Sequence, residues 1–156
     1  MKSHIGPSHV RGAVLLEAFI AVLLFSMGML ALVGVQAAAL KNTADAKNRT
    51  EAAYLASQII AQMWVESPAN LSTYVHNPST GGTCSFSGAA SSNANVVAWL
   101  GNATTPGTVA GNLPGATTTR QQITIGANNV VTVTVCWQNP GESVTRNYTG
   151  LAQING

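Results

Sequence analysis

From Ala13 to Leu40 the chain is a run of apolar and small residues interrupted by one charge, Glu17. The stretch Ala18 to Val35 carries no charge at all; as a helix it covers about 27 Å, close to the thickness of a bilayer's hydrocarbon core. Helical patterning continues beyond it. Ala52, Leu55, Ala56, Ile59, Ile60 and Met63 recur at three- and four-residue spacing, with Trp64 beside them and Lys47, Asn48, Glu51, Gln58 and Gln62 on the other side. No Pro or turn cluster falls between Ala13 and Val65, so the pattern predicts one helix of about 80 Å over 13–66, with its membrane part at about 18–40. Pro68 and Asn70 end it.

After the helix the pattern changes. Ser67 to Asn95 is rich in Ser, Thr, Gly, Asn and Pro and reads as a long surface connection. Val96 to Leu100 is a short apolar segment with Trp99, and Gly101 to Thr119 is again turn-rich. Near the end Val131, Val133, Val135 and Trp137 alternate with Thr132, Thr134 and Cys136, which gives a strand with one apolar face. Gln121 to Ile125 before it and Ser143 to Thr149 after it complete three antiparallel strands whose apolar face covers the helix stripe. The expected class is α+β: a long N-terminal membrane-spanning helix packed on a small C-terminal antiparallel sheet.

Charge sharpens the reading of the N-terminus. A lone carboxylate at a membrane helix centre costs about 2.5–3.5 kcal/mol on insertion scales, so Glu17 calls for a purpose. Lys2 and Arg11 precede the apolar run, which places the N-terminus in the cytoplasm and everything after Leu40 outside. Three readings are open. The run is a processed and assembling segment, or a plain anchor whose Glu17 reaches the interface, or a secretory signal cut at Ala37-Ala38-Ala39. Against the last, the run is longer than a secretory apolar region and Glu17 interrupts its leading edge.

The residues Gly12 through Gln36, GAVLLEAFIAVLLFSMGMLALVGVQ, resemble the N-terminus of type IV pilins. They are most similar to PilV-type minor pilins, with which they share Leu-Leu-Glu, Phe-Ser-x-Gly and Gly-x-Gln. Trp99, Leu113-Pro114-Gly115 and Val133-Thr134-Val135-Cys136-Trp137-Gln138 add weaker matches in the C-terminal part. The resemblance implies a type IV pilin-like fold with a leader over 1–12, cleavage by a prepilin peptidase between Gly12 and Ala13, and methylation of the Ala13 amine. It further implies storage in inner-membrane lipid with the head, 67–156, in the periplasm. Entry into a pilus follows, through an inner-membrane assembly platform, beside other minor pilins and the major pilin. Such subunits prime assembly and so support adhesion, twitching motility or DNA uptake. On this reading Glu17 pairs with the new amine of a neighbouring copy, compensating both charges and setting register. Two positions depart from the major pilins: Ala13 stands where they usually have Phe, and Gly34 where they usually have a kinking Pro.

Formal net charge is +2, but Lys2 and Arg11 lie in the leader; without it five basic and five acidic residues cancel. A neutral chain without a basic cluster gives no electrostatic case for direct nucleic-acid binding. Cys84 and Cys136 match no zinc or Cys-x-x-Cys spacing. In an oxidising periplasm they are expected to form a disulfide, the alternative being two buried thiols. No catalytic, cofactor or metal constellation is expected: His76 stands alone in a polar loop, and His4 and His9 lie in the leader. Asn-x-Ser/Thr triplets begin at Asn48, Asn70, Asn102 and Asn147 and are discounted as chance in a chain rich in Asn and Thr. Trp64, Trp99 and Trp137 are read as core residues rather than an adhesive surface. The competing functions are a minor pseudopilin of a type II secretion system and a membrane-anchored periplasmic binding module.

Overall fold

The computed structural model describes residues 10–154; residues 1–9 of the expected leader lie outside the described residues. The chain divides into two units, 1–43 and 44–156. One helix, α1 (Val10–Trp64), supplies the described part of the first unit and enters the second. In the first unit each side chain from Gly12 to Thr43 is exposed, Phe19 at 72% and Leu30 at 73% among them. This helix is long and apolar enough to cross a membrane by length and composition. Its few hydroxyls fold back on the helix: Ser26 Oγ donates to Val22 O at 2.7 Å, which removes an unpaired donor from an apolar setting.

The second unit is a single layer of sheet on the last five turns of α1. Pro68–Tyr74 forms a 3₁₀ helix, followed by a hairpin of β1 (Ser79–Gly82) and β2 (Ser85–Ser87). Two short helices come next, α2 (Ala94–Leu100) and α3 (Val109–Asn112). Then β3 (Gln122–Ile125), β4 (Val130–Trp137) and β5 (Arg146–Gln153) make an antiparallel sheet in the order β3-β4-β5. The register runs unbroken from Val130 opposite Gln153 to Trp137 opposite Arg146. The alternation read from the sequence is the one that packs. Val131, Val133, Val135 and Trp137 are buried against Ala52, Leu55, Ala56, Ile59 and Met63 in one apolar cluster, joined by Leu71, Tyr74, Val96, Trp99, Val109 and Leu113. Strand and helix approach closely at Gly150, where an added Cβ would lie 3.3 Å from Ile60 Cδ1 and 3.4 Å from Ala56 Cβ.

Several expectations need correction. The helix ends at Trp64 rather than 66, with Glu66 N–H closing on Met63 O. The segment after Ser67 is not a bare connection, because its 3₁₀ helix and hairpin give it local order. Val96 to Leu100 is helical: Val96, Trp99 and Leu100 sit at helical spacing, and Asn93 caps the turn by accepting from Asn95 N–H. The third strand is Arg146–Gln153, not Ser143–Thr149. Glu142 N–H turns back to Asn139 O and Gln138 Nε2 donates to Glu142 O, so the connection consumes residues through Thr145. Trp99 and Trp137 are core, but Trp64 is 51% exposed, because it lies beside rather than on the buried stripe. The polar side of α1 is not wholly solvated either. Asn48 and Glu51 reach the head through Asn139 and Asn112.

Candidate functional site

The candidate site is the start of α1. Gly12 and Ala13 fall inside its first turns, and Ala13 and Glu17 are one turn apart on the same face. That face, Ala13, Leu16, Glu17, Ile20, Ala21 and Leu24, lines a shallow apolar groove in which Glu17 is the one charged residue. Glu17 has no hydrogen bond or ion pair among the described residues. Among the described residues, then, this acid stands between apolar side chains with no group to compensate it. Chemically such a group can accept from, or pair with, a cation brought by another molecule. An added Cβ at Gly28 or Gly34 would meet nothing within 4 Å, so no contact among the described residues requires glycine there.

In the head, Cys84 and Cys136 are joined, with Sγ atoms 2.03 Å apart. Cys136 lies on β4 beside the buried face, and Cys84 sits at the β1–β2 turn with φ 58°. The bond ties the exposed hairpin to the central strand. Gln121 secures the same rung: its Oε1 accepts from Cys136 N–H at 2.9 Å and its Nε2 donates to Cys136 O at 3.1 Å. A side-chain amide thus stands in for the backbone where β3 has run out.

Several contacts that sequence reasoning missed also belong to the head. His76, read as alone in a polar loop, is 2% exposed. Its Nδ1 accepts from Ser91 N–H at 3.1 Å while Nε2 lies 2.9 Å from Thr118 O, an arrangement met by the Nε2–H tautomer. The ring is a strut between three loops, and nothing in its surroundings resembles a catalytic pair. Among the described residues no three His, Cys, Asp or Glu side chains gather as metal ligands. A second cluster joins α1 to the β4–β5 connection. Arg146 Nη2 lies 3.0 Å from Asp45 Oδ2 and 3.2 Å from Glu142 Oε2, and Asn139 donates to Asp45 and accepts from Asn48. The only sequence hint was the Asn139-Pro140-Gly141 turn, which says where the chain reverses but not which helix turn it meets.

Glu66 organises the exit from α1. Its Oε1 accepts from Asn70 Nδ2 at 2.8 Å and Ser67 N–H at 3.2 Å, and Tyr74 OH, which also accepts from Asn95 Nδ2, donates to its Oε2. The Asn70 bond, then the Ser67 bond, hold the Glu66 carboxyl below its ordinary range. A lowered folded value stabilises the fold above the unfolded pKa, and that contribution is lost as pH falls through the folded one. Unfolding midpoints measured against pH are expected to converge for wild type and Glu66→Gln on the acid side and to separate above it. Parallel curves would rule out this linkage.

Comparison with family models, with curated proteins and with solved structures finds no match to the chain.

Proposed function

We propose that this chain is a structural subunit of a type IV pilus, of the minor-pilin kind, that helps initiate fibre assembly. The observation that carries the reading is Glu17: the only charge between Ala13 and Leu40, placed on an apolar helix and without a partner among the described residues. Hydrolysis of the Gly12–Ala13 peptide bond adds water across it, leaving a carboxylate on Gly12 and an ammonium on Ala13. In a bundle of such helices the ammonium of one copy meets the Glu17 carboxylate of the next. Removing either partner leaves a charge in apolar surroundings, at a cost of about 3–5 kcal/mol, so the pair selects the register in which both are compensated. The long exposed helix supplies the packing surface, and the α+β head is the folded unit that follows it in the chain. The Ser26 hydroxyl, bonded to its own helix, does not compete for the pair.

The test is Glu17→Ala in the producing cell. The variant is expected to be cut after Gly12, to reach the membrane, and to be missing from sheared surface fibres; Glu17→Asp is expected to restore part of the incorporation. Wild-type fibre incorporation by Glu17→Ala would overturn the reading. Function that survives replacement of residues 1–40 by an unrelated membrane anchor would assign the helix to tethering alone. Loss of enzyme secretion rather than of pili on deletion of the gene would assign the same chemistry to a secretion-system pseudopilin.

A further inference from the structure

The two edges of the sheet are finished differently. β3 is four residues long, and the middle of its outer side is taken: His76 N–H donates to Ile123 O and Ile123 N–H to His76 O, both at 3.0 Å. β5 is eight residues long, contains no Pro or Lys, and pairs with β4 without a register shift. Ile154 N–H donates to Asn129 O at 3.0 Å, which continues that register. In an antiparallel ladder the direction of the backbone groups alternates. The N–H and C=O of Asn147, Thr149, Leu151 and Gln153 therefore point away from β4. Among the described residues none of these groups has a partner. Long edges of this kind are normally blunted by charge, proline, a bulge or a covering loop, because they template pairing with another chain. β5 has none of these along 147–153.

The floor beside that edge is apolar except at Ser57, whose hydroxyl donates to Ala53 O of its own helix. Ala53, Ser57, Ile60 and Trp64 follow one another at four-, three- and four-residue spacing and so form one flank of α1. Ile60, with Ala56, lies close under Gly150 of β5. The flank continues past the strand to Trp64, 51% exposed, the tryptophan expected in the core and not found there.

We propose that the β5 edge receives a β-strand from a different subunit of the fibre, whose inward side chains cover Ile60 and Trp64. This rests on the fibre reading above. The edge chemistry requires an extended backbone, and the flank requires apolar side chains at alternate positions of that strand. A second copy pairing β5 with β5 about Gly150 sets glycine opposite glycine and Tyr148 opposite Ala152, and so delivers no large side chain over the centre of the flank. A strand of different sequence does.

Leu151→Pro removes an outward N–H and leaves the β4 ladder intact, Leu151→Thr keeps the N–H, and Trp64→Ser removes the floor. The full-length variants are made in the producing cell, and each is measured by its thermal midpoint and its recovery in sheared fibres. Leu151→Pro and Trp64→Ser are expected to keep the wild-type midpoint within a few degrees and to fall in recovery by about tenfold or more, the loss of one hot-spot contact. Leu151→Thr is expected to assemble normally. Should Leu151→Pro lower the midpoint further, Trp64→Ser decides. Wild-type recovery of Trp64→Ser, or of a folded Leu151→Pro, overturns the proposal. So does a dimer of the purified chain that Leu151→Pro abolishes, since that gives the edge to a second copy. Wild-type recovery of Glu17→Ala defeats the fibre reading itself, whereas its exclusion beside a normally recovered Leu151→Pro defeats only the strand.

Discussion

Replacing Cys84 and Cys136 together by serine is expected to lower the unfolding free energy of the head by about 4 kcal/mol, the chain-entropy value for a loop of this length. The two cysteines are 52 residues apart in sequence, and the bond holds an element with little else to hold it. In β1 every residue is exposed, and in β2 only Phe86 is half-buried. Apart from the disulfide, the hairpin and the residue that leads into it are tied to the sheet through Gln122 Nε2, which donates to Thr80 Oγ1 at 3.1 Å and to Asn77 O, just before β1, at 3.0 Å. Two such bonds contribute about 1 kcal/mol each, and the chain they restrain costs more than that in entropy. The β1–β2 hairpin is therefore expected to open first on reduction, while α1, β3, β4 and β5 stay packed. Urea midpoints with and without reductant, together with amide exchange at 79–87, measure both parts. A loss under about 1 kcal/mol would mean that the hairpin is held by its side-chain contacts rather than by the crosslink.

Trp99→Ala is the second large effect, expected to cost about 3–5 kcal/mol. Trp99 is 3% exposed and its Nε1 donates to Leu55 O at 2.9 Å, so one side chain fills the core and satisfies its own polar atom. It is also the main anchor of α2, which at seven residues is too short to persist without tertiary contacts. Removing the ring leaves a cavity beside Leu55 and Val96, and α2 loses its grip on α1. Trp99→Phe keeps most of the packing and loses the hydrogen bond, with an expected cost of about 1–2 kcal/mol. Chemical denaturation of the three proteins orders them. Equal stabilities for Trp99→Ala and wild type would place α2 outside the cooperative unit.

The elements with a clean period were legible in advance. The 52–63 stripe and the 131–137 alternation each predict a buried face, and those faces meet in the structure. The same method placed Trp64 inside, because adjacency to the stripe in sequence says nothing of the 100° turn between successive residues of a helix. His76, Gln121 and Asn139 were invisible as structural residues. Each is a polar side chain bonded to a backbone or side chain more than ten positions away, and no local pattern marks such a partner.

Amino-acid order alone was enough to specify one long apolar helix with a single acid near its start, a turn-rich middle and a short antiparallel sheet, since hydrophobic period and chain-breaking residues act over a few positions. The folded head decided the rest. It set which cysteine-bearing loop reaches which strand, where Arg146 finds Asp45, and that β3 is closed by His76 while β5 is left open. Those outcomes depend on distance in space between segments remote in the chain, and that distance exists only once the core has packed.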